Sequence, residues 1–109
     1  MTFEEYQKKS RETALYPDVN SNFIYPTLGL AGETGEISEK IKKILRDKGG
    51  VMDDATRESL RLELGDVLWY VSQIAAELGL SLDDIANANI EKLFSRKERG
   101  VLGGSGDNR

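Results

Sequence analysis

The sequence predicts an all-α chain, folded as a four-helix, bundle-like unit. Apolar residues recur every three to four positions over long segments, and no stretch alternates apolar with polar residues as a half-buried strand would. Two segments open with capping boxes, Thr2 with Glu5 and Ser81 with Asp84. Glycines separate the periodic segments at Gly49-Gly50 and at Gly79.

The first helix starts at Phe3, behind Thr2, and is expected to run to Tyr16-Pro17, because the residue before a proline avoids the helical region. PDVNSNFIYP then reads as a loop on its prolines, asparagines and serine. The second helix opens near Pro26 and runs to about Asp47, with Leu30, Ile37, Ile41, Ile44 and Leu45 on a helical period. Lys40, Lys42, Lys43 and Arg46 crowd its C-terminal half, where cations suit the helix dipole. The third helix runs from Asp53 or Asp54 to Leu78 and carries a broad stripe that includes Leu60, Leu64, Val67, Leu68, Val71 and Ile74. The fourth begins after Ser81 and carries Leu82, Ile85, Ala86, Ile90, Leu93 and Phe94. Residues 1–102 form the helical domain, and 103–109 a glycine-rich tail. Such a composition resists ordering alone. An ordered tail therefore has to be docked, with Asp107, Asn108 and Arg109 placed to reach the site of a neighbouring subunit.

A chain of 109 residues is one domain with a thin core. Self-association is expected to supplement it. No apolar run approaches the roughly 20 residues of a membrane span, and the opening MTFEEYQKKS lacks the apolar segment of a secretory signal. A cytoplasmic protein without membrane contact is expected. The net charge of −4 argues against binding a nucleic-acid polymer. There is no histidine and no cysteine, which removes imidazole bases, thiol nucleophiles and ordinary zinc sites. Any metal must be held by oxygen, which points to Mg²⁺, Mn²⁺ or Ca²⁺.

The candidate ligands are two acid pairs at i, i+3: Glu33 with Glu36, and Glu63 with Asp66. Like charges at such spacing cost a helix about 0.2–0.5 kcal/mol per pair. The intervening segment is long enough for the rest of one helix, a turn and the start of the next, so the pairs can face each other. Gly32, Gly35 and Gly65 stand beside them and permit close packing or close approach of a ligand. Taken alone, the acids read equally well as solvated surface charge. The basic groups Lys43, Lys92 and Arg96 suit phosphate oxygens, with Asn89, Lys92 and Arg96 on one helical face. Trp69 is a candidate to stack on a base, as are Tyr16, Tyr25 and Tyr70; as a core residue Trp69 is equally well explained.

The words around the acids carry a resemblance. GLAGETGEISEKIKK, followed by LELGDVLWYVSQIAAELGLSLDDIANANIEKLFSRKERG, resembles the MazG-like nucleotide pyrophosphohydrolases, in their short single-domain form found in bacteria and phages. The resemblance implies a helical homodimer or homotetramer. It implies hydrolysis of a nucleoside triphosphate to the monophosphate and pyrophosphate, for nucleotide-pool control or house-cleaning. By that likeness Glu33, Glu36, Glu63 and Asp66 hold Mg²⁺, for which Mn²⁺ is a substitute, and form the catalytic centre. Asn89, Lys92 and Arg96 match the family's NxxKLxxR segment and contact nucleotide or phosphate. A non-catalytic helical interaction module is the rival reading.

Overall fold

A computed structural model describes all of residues 1–109. It holds four helices and no strand: α1 Phe3–Arg11, α2 Ile24–Asp47, α3 Asp54–Glu77 and α4 Leu82–Glu98.

The caps expected at Thr2 and Ser81 form, and two more are found at Asp53 and Asn22. The Thr2 hydroxyl accepts from the Glu5 N–H at 3.1 Å and donates back to the Glu5 carboxylate. The Asp53 carboxylate accepts from the Thr56 N–H at 2.7 Å, and Ser81 Oγ from the Asp84 N–H at 3.3 Å. For α2 the capping oxygen is Asn22 Oδ1, which accepts from the Tyr25 N–H at 3.0 Å, and Pro26 lies buried in the first turn, where no N–H is required. Gly50, at φ 81°, closes α2 by donating its N–H to the Ile44 carbonyl at 3.1 Å.

α1 is shorter than expected. It ends at Arg11, five residues before Tyr16, because side chains compete for its last carbonyls. Ser10 Oγ donates to the Gln7 carbonyl, and Thr13 Oγ1 to the Ser10 carbonyl at 2.6 Å. Giving up the last turn lets the chain bend and bury Tyr16.

α2 and α3 pack as an antiparallel hairpin. Lys48 beside Asp53 and Thr56, Lys40 beside Ser59 and Glu63, and Gly29 against Tyr70 mark the register from the closed end to the open end. Gly29 is the glycine this packing requires. A Cβ there would lie 2.1 Å from the Tyr70 ring, whereas Gly32, Gly35 and Gly65 face open space. α1 crosses α3, and α4 packs on α1. Gln7 holds the turn between α3 and α4: its amide donates to the Leu80 carbonyl, and its oxygen accepts the Leu82 N–H, both at 2.9 Å.

The α1–α3 junction is polar at its heart. Ser72 and Gln73 are completely buried; Ser10 Oγ meets Ser72 Oγ, and Gln73 donates to Ser10 Oγ, each at 3.1 Å. Besides Pro26, few apolar side chains are buried: Ala14, Tyr16, Ile44, Ala75 and Leu82. Much of the apolar stripe read from the sequence stays exposed, including Leu45, Leu64, Ile90 and Phe94. The radius of gyration, 16.8 Å, exceeds the roughly 13 Å of a compact domain near this length.

The tail does fold, against its own chain. Arg109 donates to the carbonyl of Val101 at 3.2 Å, Arg99 to the carbonyl of Arg109 at 2.8 Å, and Arg96 to the carbonyl of Asp107 at 3.0 Å. Arg96 and Arg99 thus satisfy two carbonyls of the tail, and Arg109 reaches back from the tail to Val101. No helix is long and apolar enough to cross a membrane.

Candidate metal centre

Both acid pairs sit mid-helix on the hairpin, Glu33 and Glu36 on α2, Glu63 and Asp66 on α3. The antiparallel register turns the pairs towards each other. One carboxylate oxygen from each of Glu33, Glu36 and Glu63 lies within 4.8 Å of the others. Asp66 stands beside this trio, lining with Glu33, Thr13, Trp69 and Tyr70 a cavity of about 310 Å³.

The electrostatics are those of a site short of positive charge. Glu33 is raised to about 7, first by the adjoining Glu63 carboxylate, then by burial, and further by the charges of Glu36 and Asp66. Glu63 is held below the ordinary carboxylate range, first by Lys40, whose Nζ lies 3.0 Å from Glu63 Oε1, and then by the neighbouring Glu33 carboxyl group. Glu33 Oε2 and Glu63 Oε2 are buried with no hydrogen-bond partner. Orphaned buried carboxylate oxygens are costly unless something positive satisfies them. An all-oxygen donor set of this kind fits a hard divalent cation.

The aromatic residues flank the acids. Trp69, half-buried, donates Nε1–H to Thr13 Oγ1 at 2.8 Å and meets the rings of Tyr16 and Tyr70 edge-on. Tyr16 stacks on Tyr25 with centroids 5.0 Å apart. These four aromatics, with Thr13, Leu15 and Pro17, line a second cavity of about 350 Å³ that shares Thr13, Trp69 and Tyr70 with the first. Trp69 is therefore both a packing residue and a wall of the cleft.

The basic candidates divide. Lys43 lines a cavity of about 520 Å³ with Glu36, Glu39, Lys40, Gly32 and Gly35, on the other side of the acids. Asn89 and Lys92 are exposed on α4 and line none of these cavities, and Arg96 is buried under the tail. Within one chain the α4 residues are not brought to the carboxylates.

Sequence reasoning passed over two further groups. Lys40 was read only as a dipole-complementing cation, although its place four residues after Glu36 puts it on the acid face. Glu77 gave no signal of its own. Its carboxylate receives Arg11 Nη2 and Tyr16 Oη, both at 2.6 Å, with the N–H groups of Asn20 at 2.9 Å and Asn22 at 2.7 Å. Burial works against its charge, but the bonds from Tyr16, Arg11 and the two backbone amides outweigh it and hold Glu77 at about 2. This anchor ties the α1–α2 loop to α3 and so fixes Tyr16 and Tyr25 beside Trp69.

Comparisons with known proteins agree with the geometry. The chain is 49% identical to the Gene 37 protein of Mycobacterium phage L5, over an alignment of 114 positions that covers the whole of both chains. No solved structure matches it. The family model of the MazG nucleotide pyrophosphohydrolase domain matches residues 26–101, a span that contains both acid pairs and α4. With most of its length inside that match, the chain belongs to the MazG family, hydrolases of nucleotides that generally depend on a divalent metal.

Proposed function

We propose that the protein is a Mg²⁺-dependent nucleoside triphosphate pyrophosphohydrolase, cleaving a ribo- or deoxyribonucleoside triphosphate to the monophosphate and pyrophosphate. The observation that carries this reading is the meeting of Glu33, Glu36 and Glu63, with two buried oxygens left unpartnered. Glu33, Glu36, Glu63 and Asp66 would hold the Mg²⁺, or Mn²⁺ in its place. When bound, such an ion supplies neutralisation of phosphate charge and a more acidic water.

The chain's own groups account for the rest. Water attacks the α-phosphorus and pyrophosphate leaves, so the site needs a group to orient that water, an anionic subsite and a wall for the base. Glu33 belongs both to the acid trio and to the cleft beside Trp69, which favours it over Glu36 as the carboxylate that orients the water and takes its proton. Lys43, across the acids, suits the phosphate chain. Trp69 and the neighbouring tyrosines offer the base an apolar wall.

Asn89, Lys92 and Arg96 contribute through assembly. α4 leaves Ile90 and Phe94 exposed, and α2 and α3 leave Leu45 and Leu64 exposed, so a second copy would bury these faces and bring its α4 to the acids of the first. The working form is therefore a homodimer or homotetramer. Arg96 reaches phosphate only if the tail moves, whereas Lys92 needs no such movement. The nucleotide pool of the cytoplasm is the setting such a reaction requires.

The test is pyrophosphate release from a panel of ribo- and deoxyribonucleoside triphosphates, with Mg²⁺ and with EDTA, beside a Glu36→Gln, Asp66→Asn double variant. Metal-dependent release that the variant loses is the expected result. Silence across the panel, with no effect of Mg²⁺ on Tm, would leave a helical interaction module.

A further inference from the structure

Of the eight ion pairs in the chain, a single one reaches any of the four site acids: Lys40 with Glu63. We infer that Lys40 is a resident counter-ion of the acid cluster, occupying Glu63 until a divalent cation displaces it and thereby setting the affinity of the centre for that cation. The inference rests on the metal reading given above and deepens it.

Lys40 follows Glu36 by four residues and Glu33 by seven, so it rises from the same face of α2 as the acids. Its Nζ lies 3.0 Å from Glu63 Oε1 and also donates to Ser59 Oγ on α3. Only one side of the Glu63 carboxylate is satisfied in this way. The other oxygen, Oε2, is buried without a partner, like Oε2 of Glu33. A cation entering among Glu33, Glu36 and Glu63 therefore meets a carboxylate already half-engaged by a positive charge a few ångströms away. Either the ammonium withdraws, or the two like charges share a confined space.

There is room for withdrawal. The Lys40 side chain is about one-third exposed (32%), against 15% for Glu63. It borders the cavity that holds Glu36 and Lys43, and also a cavity of about 360 Å³ formed with Lys43, Lys48, Thr56 and Ser59. A flexible stem beside open space can turn away without disturbing the α2–α3 packing. In the metal-free protein the same ammonium offsets the repulsion among the acids. Two opposite effects follow from one side chain: it steadies the acids in the absence of a cation and opposes the binding of one. A plain brace between α2 and α3 would do only the first.

The experiment uses the full chain, Mn²⁺ alone and no nucleotide. Mn²⁺ affinity is measured by titration calorimetry or by the electron paramagnetic resonance of free Mn²⁺, and Tm is measured in EDTA. Lys40→Met keeps the stem, and Lys40→Gln keeps a polar tip in case the apolar variant folds poorly. Both variants are expected to melt below the wild type in EDTA and yet to bind Mn²⁺ about fivefold more tightly, the scale of one partly exposed ion pair. Affinity in Lys40→Gln that is equal to or weaker than that of the wild type would overturn the role of Lys40 and leave a structural brace. A wild type that binds no Mn²⁺ would overturn the metal reading itself, and with it this inference.

Discussion

Glu77 and Glu33 are the same type of side chain on one helical hairpin, and the fold treats them in opposite ways. Glu77, on α3, is buried against donors only: Arg11, Tyr16 and two backbone amides, which hold it at about 2. Glu33, on α2, faces other acids and is raised to about 7. Every oxygen of the first has partners; one oxygen of the second has none. The contrast separates a carboxylate satisfied by donors from one set against other acids. Strained titratable groups lining a cleft are the usual mark of a functional site.

Breaking the satisfied side should have the largest effect. Glu77→Ala leaves Arg11 and two amides without their acceptor and is expected to cost about 3 kcal/mol, near the low end for a broken buried pair because Arg11 keeps some contact with water. Urea unfolding measures it directly; a midpoint equal to that of the wild type would dissolve the contrast. Breaking the strained side should do the reverse. Glu33→Gln is expected to lower pyrophosphate release by at least about 100-fold. In EDTA the same variant should melt about 1–4 °C higher, since one like-charge pair is relieved. A variant that loses both activity and stability would mean that Glu33 is a structural acid after all.

pH sharpens the comparison further. The stability that Glu77 contributes is fully present above its unfolded value near 4.5 and is lost as pH falls towards 2. Glu33 has the opposite sign: its contribution is fully present below about 4.5 and is lost as pH rises through 7. In EDTA, the Tm gap between wild type and Glu77→Gln should therefore shrink in acid. The gap between Glu33→Gln and wild type should open across pH 4.5 to 7, and saturating Mg²⁺ should close it. A Glu33 gap that is flat with pH would show that the neighbouring acids do not raise Glu33.

The glycines of α2 test the packing on which both sides of the contrast rest, and the smallest effect is that of Gly32. Gly29→Ala drives a methyl into the Tyr70 ring and should cost about 1–3 kcal/mol. Gly32→Ala enters open space and should stabilise the helix by about 0.5–1 kcal/mol. Equal responses at the two positions would argue against the observed register of α2 on α3.

How much was legible in the sequence follows from how local each feature is. The helices, the caps at Thr2 and Ser81 and the two acid pairs were readable because a cap spans three residues and a carboxylate pair spans one turn. The end of α1 was misjudged because Tyr16 answers to Glu77, 61 residues away. The glycines beside the acids drew attention, yet the one that packs is Gly29, whose partner Tyr70 lies on another helix.

The sequence by itself determined an all-helical chain with two acid pairs and no imidazole or thiol beside them, since periodicity, capping and the lack of histidine and cysteine are properties of local order and composition. The tertiary structure alone decided which acid is satisfied and which is strained, that Lys40 sits on Glu63, and that the tail turns back onto α4. Those outcomes depend on distances between residues far apart in the chain. Hydrogen bonds and Coulomb energies are set by such distances, and only the packing of α1 and α2 on α3 fixes them.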